Sequence, residues 1–276
     1  MPMRSVRGGE LSYELSGTSG DPVVLVHGSL SDRHVWDEVV PVLAQSMEVV
    51  SYDRRGHGGS PAARRGHPVR DDAADLAGLL EELNVYPVHV IAHSYGGAVA
   101  LRLAADRPEM VRSLSVHEPP FLGLLADDPA SASEAAELLD EVRDLKGLVR
   151  AGKTAVVAER LFERFSTEPR AWSRLSSGYQ RSITNTVDRW AEEFDDPEAV
   201  VPDRAACREL MVPTLLTEGS ESPRFLHRVT AALAELLHNS RVVEIPGVGH
   251  SPQVARPHQY VGLLLTFLLE RNVPVS

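Results

Sequence analysis

A serine in a tight turn, a late histidine in a glycine-rich loop and an acid at a strand end point to one kind of chemistry. A serine hydroxyl is a poor nucleophile at neutral pH and needs a base to take its proton. Histidine suits that task because its pKa lies near neutrality, and a carboxylate can orient the imidazole and stabilise its charged form. The serine is Ser94, in the run Val88-His89-Val90-Ile91-Ala92-His93-Ser94-Tyr95-Gly96-Gly97. Apolar, mostly β-branched residues before it read as a buried strand. After it, Ala98, Leu101, Ala104 and Ala105 recur at helical spacing. A sharp strand-to-helix turn holds such a serine clear of the sheet, and its tightness demands small neighbours, here Ala92 and Gly96.

Of eleven histidines, His250 follows a strand in the loop Pro246-Gly247-Val248-Gly249-His250-Ser251-Pro252 and is the candidate base. The acid has two candidate positions. The loop after Pro213–Thr217 offers Glu218 and Glu221 but has Ser222 where an aspartate is usual. The end of the strand Leu114-Ser115-Val116 carries Glu118, followed by two prolines. Glu118 is the preferred acid and Glu221 the alternative. The run Val23–Val26 leads into His27-Gly28-Ser29, where a glycine lets the backbone fold over the sheet. The Ser29 amide and the Tyr95 amide are therefore the expected oxyanion donors. His27 reads as a structural loop histidine. The loop Asp53-Arg54-Arg55-Gly56-His57 lacks the ending of a phosphate loop, and Arg55 and His57 read as ties within the turn.

The elements that position these groups alternate between strand and helix. Leu11–Leu15, Val23–Val26, Val49–Tyr52, Val88–Ala92, Leu114–Val116, Pro213–Thr217 and Arg241–Ile245 read as strands. Val35–Ala44, Asp71–Leu83, Arg224–Leu237 and Pro257–Leu269 read as helices. This order predicts an α/β fold with a mostly parallel central sheet wrapped by helices. From Ser131 to Asp196 the pattern is almost wholly helical, which predicts a helical cap inserted between two sheet strands. The expected division is a core of residues 1–120 and 204–276 and a cap of residues 121–203.

A chain of 276 residues can bury a large core. The net charge of −11 and the lack of a basic stripe speak against nucleic acid as a partner. The single cysteine, Cys207, excludes an internal disulfide. No apolar run has signal-peptide or membrane-spanning length, so a cytoplasmic protein with no membrane partner is expected, as monomer or homodimer. The chemistry calls for no metal and no organic cofactor.

With these residues in view, the chain resembles the α/β-hydrolase superfamily and, within it, the zearalenone lactonase group. His117-Glu118-Pro119-Pro120 is similar to that group's acid turn. Gly219-Ser220-Glu221-Ser222-Pro223 is similar to its loop lacking the usual acid, and Trp190-Ala191 to its tryptophan–alanine pair. The resemblance implies the α/β-hydrolase fold, Ser94 as nucleophile, His250 as base, Glu118 as acid, oxyanion amides at Ser29 and Tyr95, and Trp190 over the substrate. Phe121, Leu124 and Leu125 are expected to add apolar lining. The expected substrate is a hydrophobic ester or lactone. The alternatives are a carbon–carbon bond hydrolase or perhydrolase with the same triad, or a non-catalytic ligand receptor.

Overall fold

The structure is a computed structural model describing residues 2–62, 66–127 and 129–270. Eight strands form one sheet: β1 (Met3–Val6), β2 (Gly9–Ser16), β3 (Pro22–Val26), β4 (Glu48–Tyr52), β5 (Val88–His93), β6 (Val111–His117), β7 (Thr214–Gly219) and β8 (Ser240–Ile245). Their spatial order is β1-β2-β4-β3-β5-β6-β7-β8. β1 and β2 pair antiparallel, β2 meets β4 antiparallel, and every pairing from β4 to β8 is parallel.

Helices α1 (Val40–Leu43), α2 (Val69–Leu83) and α3 (Tyr95–Asp106) connect the first strands. Between β6 and β7 run α4 (Ala132–Arg150), α5 (Thr154–Phe165), α6 (Ser177–Asn185), α7 (Val187–Glu193) and α8 (Arg204–Glu209). α9 (Arg224–Leu236), α10 (Pro252–Ala255) and α11 (Pro257–Glu270) complete the chain. None of the described helices is long and apolar enough to cross a membrane.

Alternating strand residues feed two separate cores, as a sheet covered on both faces requires. Val24, Val26, Val50 and Val90 pack with α2, α3 and α9. Val23, Leu25, Val49 and Ile91 pack on the other face with Trp36, Leu43 and α11. The buried members of a third apolar cluster all come from the inserted helices: Leu145, Val157, Ala158, Leu161, Ile183, Val187 and Trp190.

Two elements differ from their expected form. The helix expected over Val35–Ala44 is a 3-10 turn at Arg33–Trp36 followed by the single turn α1. Pro41, with no amide to donate, prevents a continuous helix there. The helical pattern expected from Ser131 to Asp196 is interrupted, among other places, between α6 and α7 at Thr186, whose hydroxyl donates to the Ile183 carbonyl (2.8 Å). On α2 the buried face includes Asp72, Ala73, Asp75 and Ala77. Those two carboxylates are buried because Arg54 and Arg55, on the loop after β4, reach them.

Candidate active site

Ser94 stands at the C-terminal end of β5 and immediately before α3, in backbone dihedrals of φ 52 and ψ −122. This is a region that L-residues rarely occupy, and the surrounding turn must hold it there. The Ser94 amide donates to the His117 carbonyl (2.9 Å), and the Gly97 amide donates to the Ser94 carbonyl (2.8 Å). Gly96 explains the need for a small residue two positions on. A Cβ there would lie 2.4 Å from the Val26 carbonyl oxygen and 2.7 Å from that of His27.

Glu118 occupies the same level one strand over, at the end of β6, and also has a positive φ of 44. Its side chain is fully buried. Oε2 accepts from His250 Nδ1–H at 2.7 Å, and Oε1 accepts from the Gly219 amide at 2.8 Å. The proton on Nδ1 is fixed by its carboxylate partner, which leaves Nε2 of His250 unprotonated in the neutral ring and able to act as base. Burial alone would raise the Glu118 pKa. The adjacent His117 and His250 imidazoles outweigh it and hold the carboxyl well below its ordinary range. Glu118 is therefore ionised throughout the neutral range.

The other two acids considered for this role are elsewhere. Glu218 lies 3.2 Å from His227 Nδ1, and Glu221 is exposed. The loop after β7 nonetheless reaches Glu118 through its Gly219 amide.

His93, beside the serine, is buried and its pKa is pushed well below normal by burial and by the neighbouring His250 and His117. The neutral ring donates from Nε2 to the His250 carbonyl at 2.7 Å, which steadies the loop carrying His250. From the inserted helices, Phe165 stacks on the His250 ring, with centroids 4.6 Å apart and planes at 29°.

His27 is structural, as expected. Burial, then the Arg54 charge, keep it far below the usual histidine range. Its Nδ1–H donates to the Gly28 carbonyl at 2.8 Å and its Nε2 accepts the Arg54 amide at 2.9 Å. Gly28 itself packs on the elbow: a Cβ there would lie 3.0 Å from Ser94 Cβ. Ser29, the next residue, thus begins the loop that passes over Ser94.

A cavity of about 410 Å³ opens above these groups. Ser29, Ser94, Glu118 and His250 contribute to its wall, together with Trp190, Leu145, Leu161, Phe165 and Phe194 from the insertion. Ser94 and His250 face the same cavity without a hydrogen bond between them among the described residues, and such contacts are often long in a ligand-free site. Phe121, Leu124 and Leu125 do not line it. They are buried in the main core, because the 3-10 turn Leu122–Asp127 packs onto α4 and α9 and turns them inward. Leu122 lines the cavity in their place.

The residues that sequence reasoning missed come from the insertion and the loop after β4. Glu193 is fully buried against Ser29, Arg54 and His57, and Arg189 reaches Asp72 at 3.0 Å. Arg189 and Glu193 lie four residues apart on a short helix, a spacing that ordinarily marks a solvated face.

A sequence profile of the family described as alpha/beta hydrolase fold matches residues 21–257. The chain belongs to the α/β-hydrolase family. Among α/β-hydrolases and other relatives, a pimeloyl-(acyl-carrier protein) methyl ester esterase from Neisseria meningitidis is 29% identical over 251 residues, covering 89% of this chain and 92% of the esterase. A shorter match is 37% identical over 117 residues, to the dihydrolipoyllysine-residue acetyltransferase component of the acetoin cleaving system from Pseudomonas putida. It covers 42% of this chain and 32% of that protein. The enol-lactonase from Burkholderia xenovorans LB400 superposes with a TM-score of 0.79 at 18% identity, over 97% of this chain and 100% of that one. At that identity the likeness concerns the α/β-hydrolase fold.

Proposed function

We infer that this α/β-hydrolase is a serine hydrolase that cleaves a carboxylic ester or lactone of a hydrophobic substrate through an acyl-enzyme. The observation that carries the reading is the buried Glu118 carboxylate on His250 Nδ1, beside a strained serine at the floor of one cavity. In this reading His250 Nε2 takes the Ser94 proton as Oγ attacks the carbonyl carbon. The oxyanion is held by the Ser29 and Tyr95 amides, each worth on the order of 3 kcal/mol. His250 then protonates the departing alcohol oxygen. The same nitrogen next removes a proton from water, which attacks the acyl carbon; the bond to Ser94 Oγ then breaks, His250 returns the proton to Oγ, and the acid is released. Ionised Glu118 stabilises the imidazolium in both halves without taking a proton itself.

The inserted helices act as the cap in this reading, and their apolar lining favours an uncharged substrate. The volume lies within the range typical of small-molecule sites, roughly 300–1,000 Å³. The resemblance to zearalenone lactonases makes a macrolactone such as zearalenone the specific candidate, with Trp190 against it. The esterase relative and the enol-lactonase fold neighbour support the broader class.

The test is turnover of a panel of short and medium-chain esters plus zearalenone by the native protein, Ser94→Ala and Glu118→Ala. Opening of the macrolactone to its hydroxy acid, lost at least about a hundredfold in both variants, supports the full reading. Ester cleavage without zearalenone opening keeps the hydrolase and removes the macrolactone. Absence of turnover on every ester sinks the reading.

A further inference from the structure

Glu193 is a fully buried carboxylate that the proposed reaction does not use, and it sits directly behind the oxyanion loop. Its Oε2 accepts from the Ser29 hydroxyl. Its Oε1 lies 2.7 Å from Arg54 Nη2 and 3.2 Å from His57 Nε2. Burial would raise the Glu193 pKa, but Arg54 above all, with His57 and Arg189, holds it well below the carboxylate range. These neighbours favour the ionised form of the carboxyl inside the protein.

Arg54 extends the same clamp to the backbone. Nη2 donates to the Gly28 carbonyl at 3.0 Å and Nε donates to the His27 carbonyl at 3.2 Å. The Gly28 carbonyl and the Ser29 amide are two ends of one peptide group. Because that group is planar and trans, pinning the carbonyl on one side aims the N–H to the other. The guanidinium also stacks on the Tyr95 ring, 4.5 Å from its centroid, so Arg54 holds the peptide that carries one expected oxyanion amide and touches the residue that carries the other.

Glu193 comes from α7, the helix that also presents Trp190 to the cavity. The seating of α7 over a substrate and the aim of the Ser29 amide are therefore parts of one hydrogen-bonded assembly. We propose that Glu193 is a positioning residue that couples closure of the inserted helices to the oxyanion hole, through the Ser29 hydroxyl and the Arg54-held Gly28–Ser29 peptide. This rests on the serine-hydrolase reading above and adds to it a residue that touches no substrate.

The experiment compares native protein, Ser29→Ala, Ser29→Thr, Glu193→Gln and the Ser29→Ala/Glu193→Gln double variant. It measures kcat and KM on one activated ester and inhibition by an alkyl trifluoromethyl ketone, whose tetrahedral adduct with the serine is anionic. Ser29→Ala is expected to lower kcat about 10- to 100-fold and to weaken the ketone by a similar factor, with KM within about twofold. Ser29→Thr, which keeps the hydroxyl, is expected to recover most of the loss. The double variant is expected to be no slower than the slower single one, the signature of two groups acting through one contact.

Native kcat in Ser29→Ala overturns the coupling and leaves the hydrolase reading intact. So do strictly additive losses, or a loss in KM alone that follows thermal stability. If Glu193→Gln does not fold, the Ser29 pair decides the matter by itself. A native protein that neither cleaves esters nor reacts with a fluorophosphonate at Ser94 refutes the hydrolase reading and this proposal together.

Discussion

Two buried carboxylates reach the site, Glu118 through His250 and Glu193 through Ser29, and their surroundings differ in kind. Glu118 is bonded by His250 and a backbone amide, with His117 at 3.5 Å. Glu193 is met by Arg54 and His57, with Arg189 on the same helix and Asp72 completing the network. Both carboxyls are held ionised, but by different partners. Glu118's hydrogen-bonded partner is a side chain whose charge can appear and vanish within a catalytic cycle. Glu193 faces an arginine that never loses its proton. An acid serving proton transfer needs the first environment; an acid that locks two parts of a structure together is best served by the second.

Replacing groups on each side should separate those roles. The largest effect is expected for Ser94→Ala, with ester turnover down at least about a thousandfold and the fold unchanged by circular dichroism. Glu118→Gln comes next, at roughly a thousandfold in kcat, because the amide no longer fixes the His250 tautomer or balances its charge. Glu221→Gln on the same assay should stay within about twofold of native. Equal losses in the two variants would contradict the assignment of the acid.

On the Glu193 side the main casualty should be stability. Arg54→Met leaves the Glu193 and Asp72 carboxylates buried without their shared cation, at a cost of about 3–5 kcal/mol. A thermal melt should show a drop of roughly 10 °C, far beyond that of Glu118→Gln. Comparable melts for the two variants would erase the distinction drawn between the carboxylates.

The smallest predicted effect concerns His67, whose main chain is held by Arg189. Burial would lower its pKa, but Asp72 and Asp75 outweigh it and raise the value to about 9. A histidine raised on folding stabilises fully below its unfolded pKa, roughly 6.5, and loses that contribution as pH climbs through the folded value. Thermal midpoints of native protein and His67→Asn should differ by several degrees near pH 6 and converge above about pH 9. A constant gap across that range would show that His67 acts through packing alone.

The strand-helix alternation and the elbow were legible because their signals are local: apolar runs, small residues at a tight turn, a histidine in a glycine-rich loop. The placement of Glu118 was readable for the same reason, since it stands at the end of an apolar strand. Phe121, Leu124 and Leu125 were misplaced because hydrophobicity does not say which apolar surface a residue meets. Their neighbour Leu122, a member of the same core, also borders the cavity. Glu193 and Arg189 were invisible for a related reason. Their partners Arg54 and Asp72 lie more than a hundred residues earlier, and only the folding back of α7 brings them together. Phe165 against His250 is a contact of the same long-range kind.

The central claim is that Ser94 is a nucleophile activated by His250. Its most direct test is intact-mass and peptide-mapping analysis after exposure to an alkyl fluorophosphonate. The account predicts a single phosphonyl adduct on native protein, mapped to Ser94, and none on Ser94→Ala. An unmodified native protein, or an adduct at another residue that persists in Ser94→Ala, would contradict it.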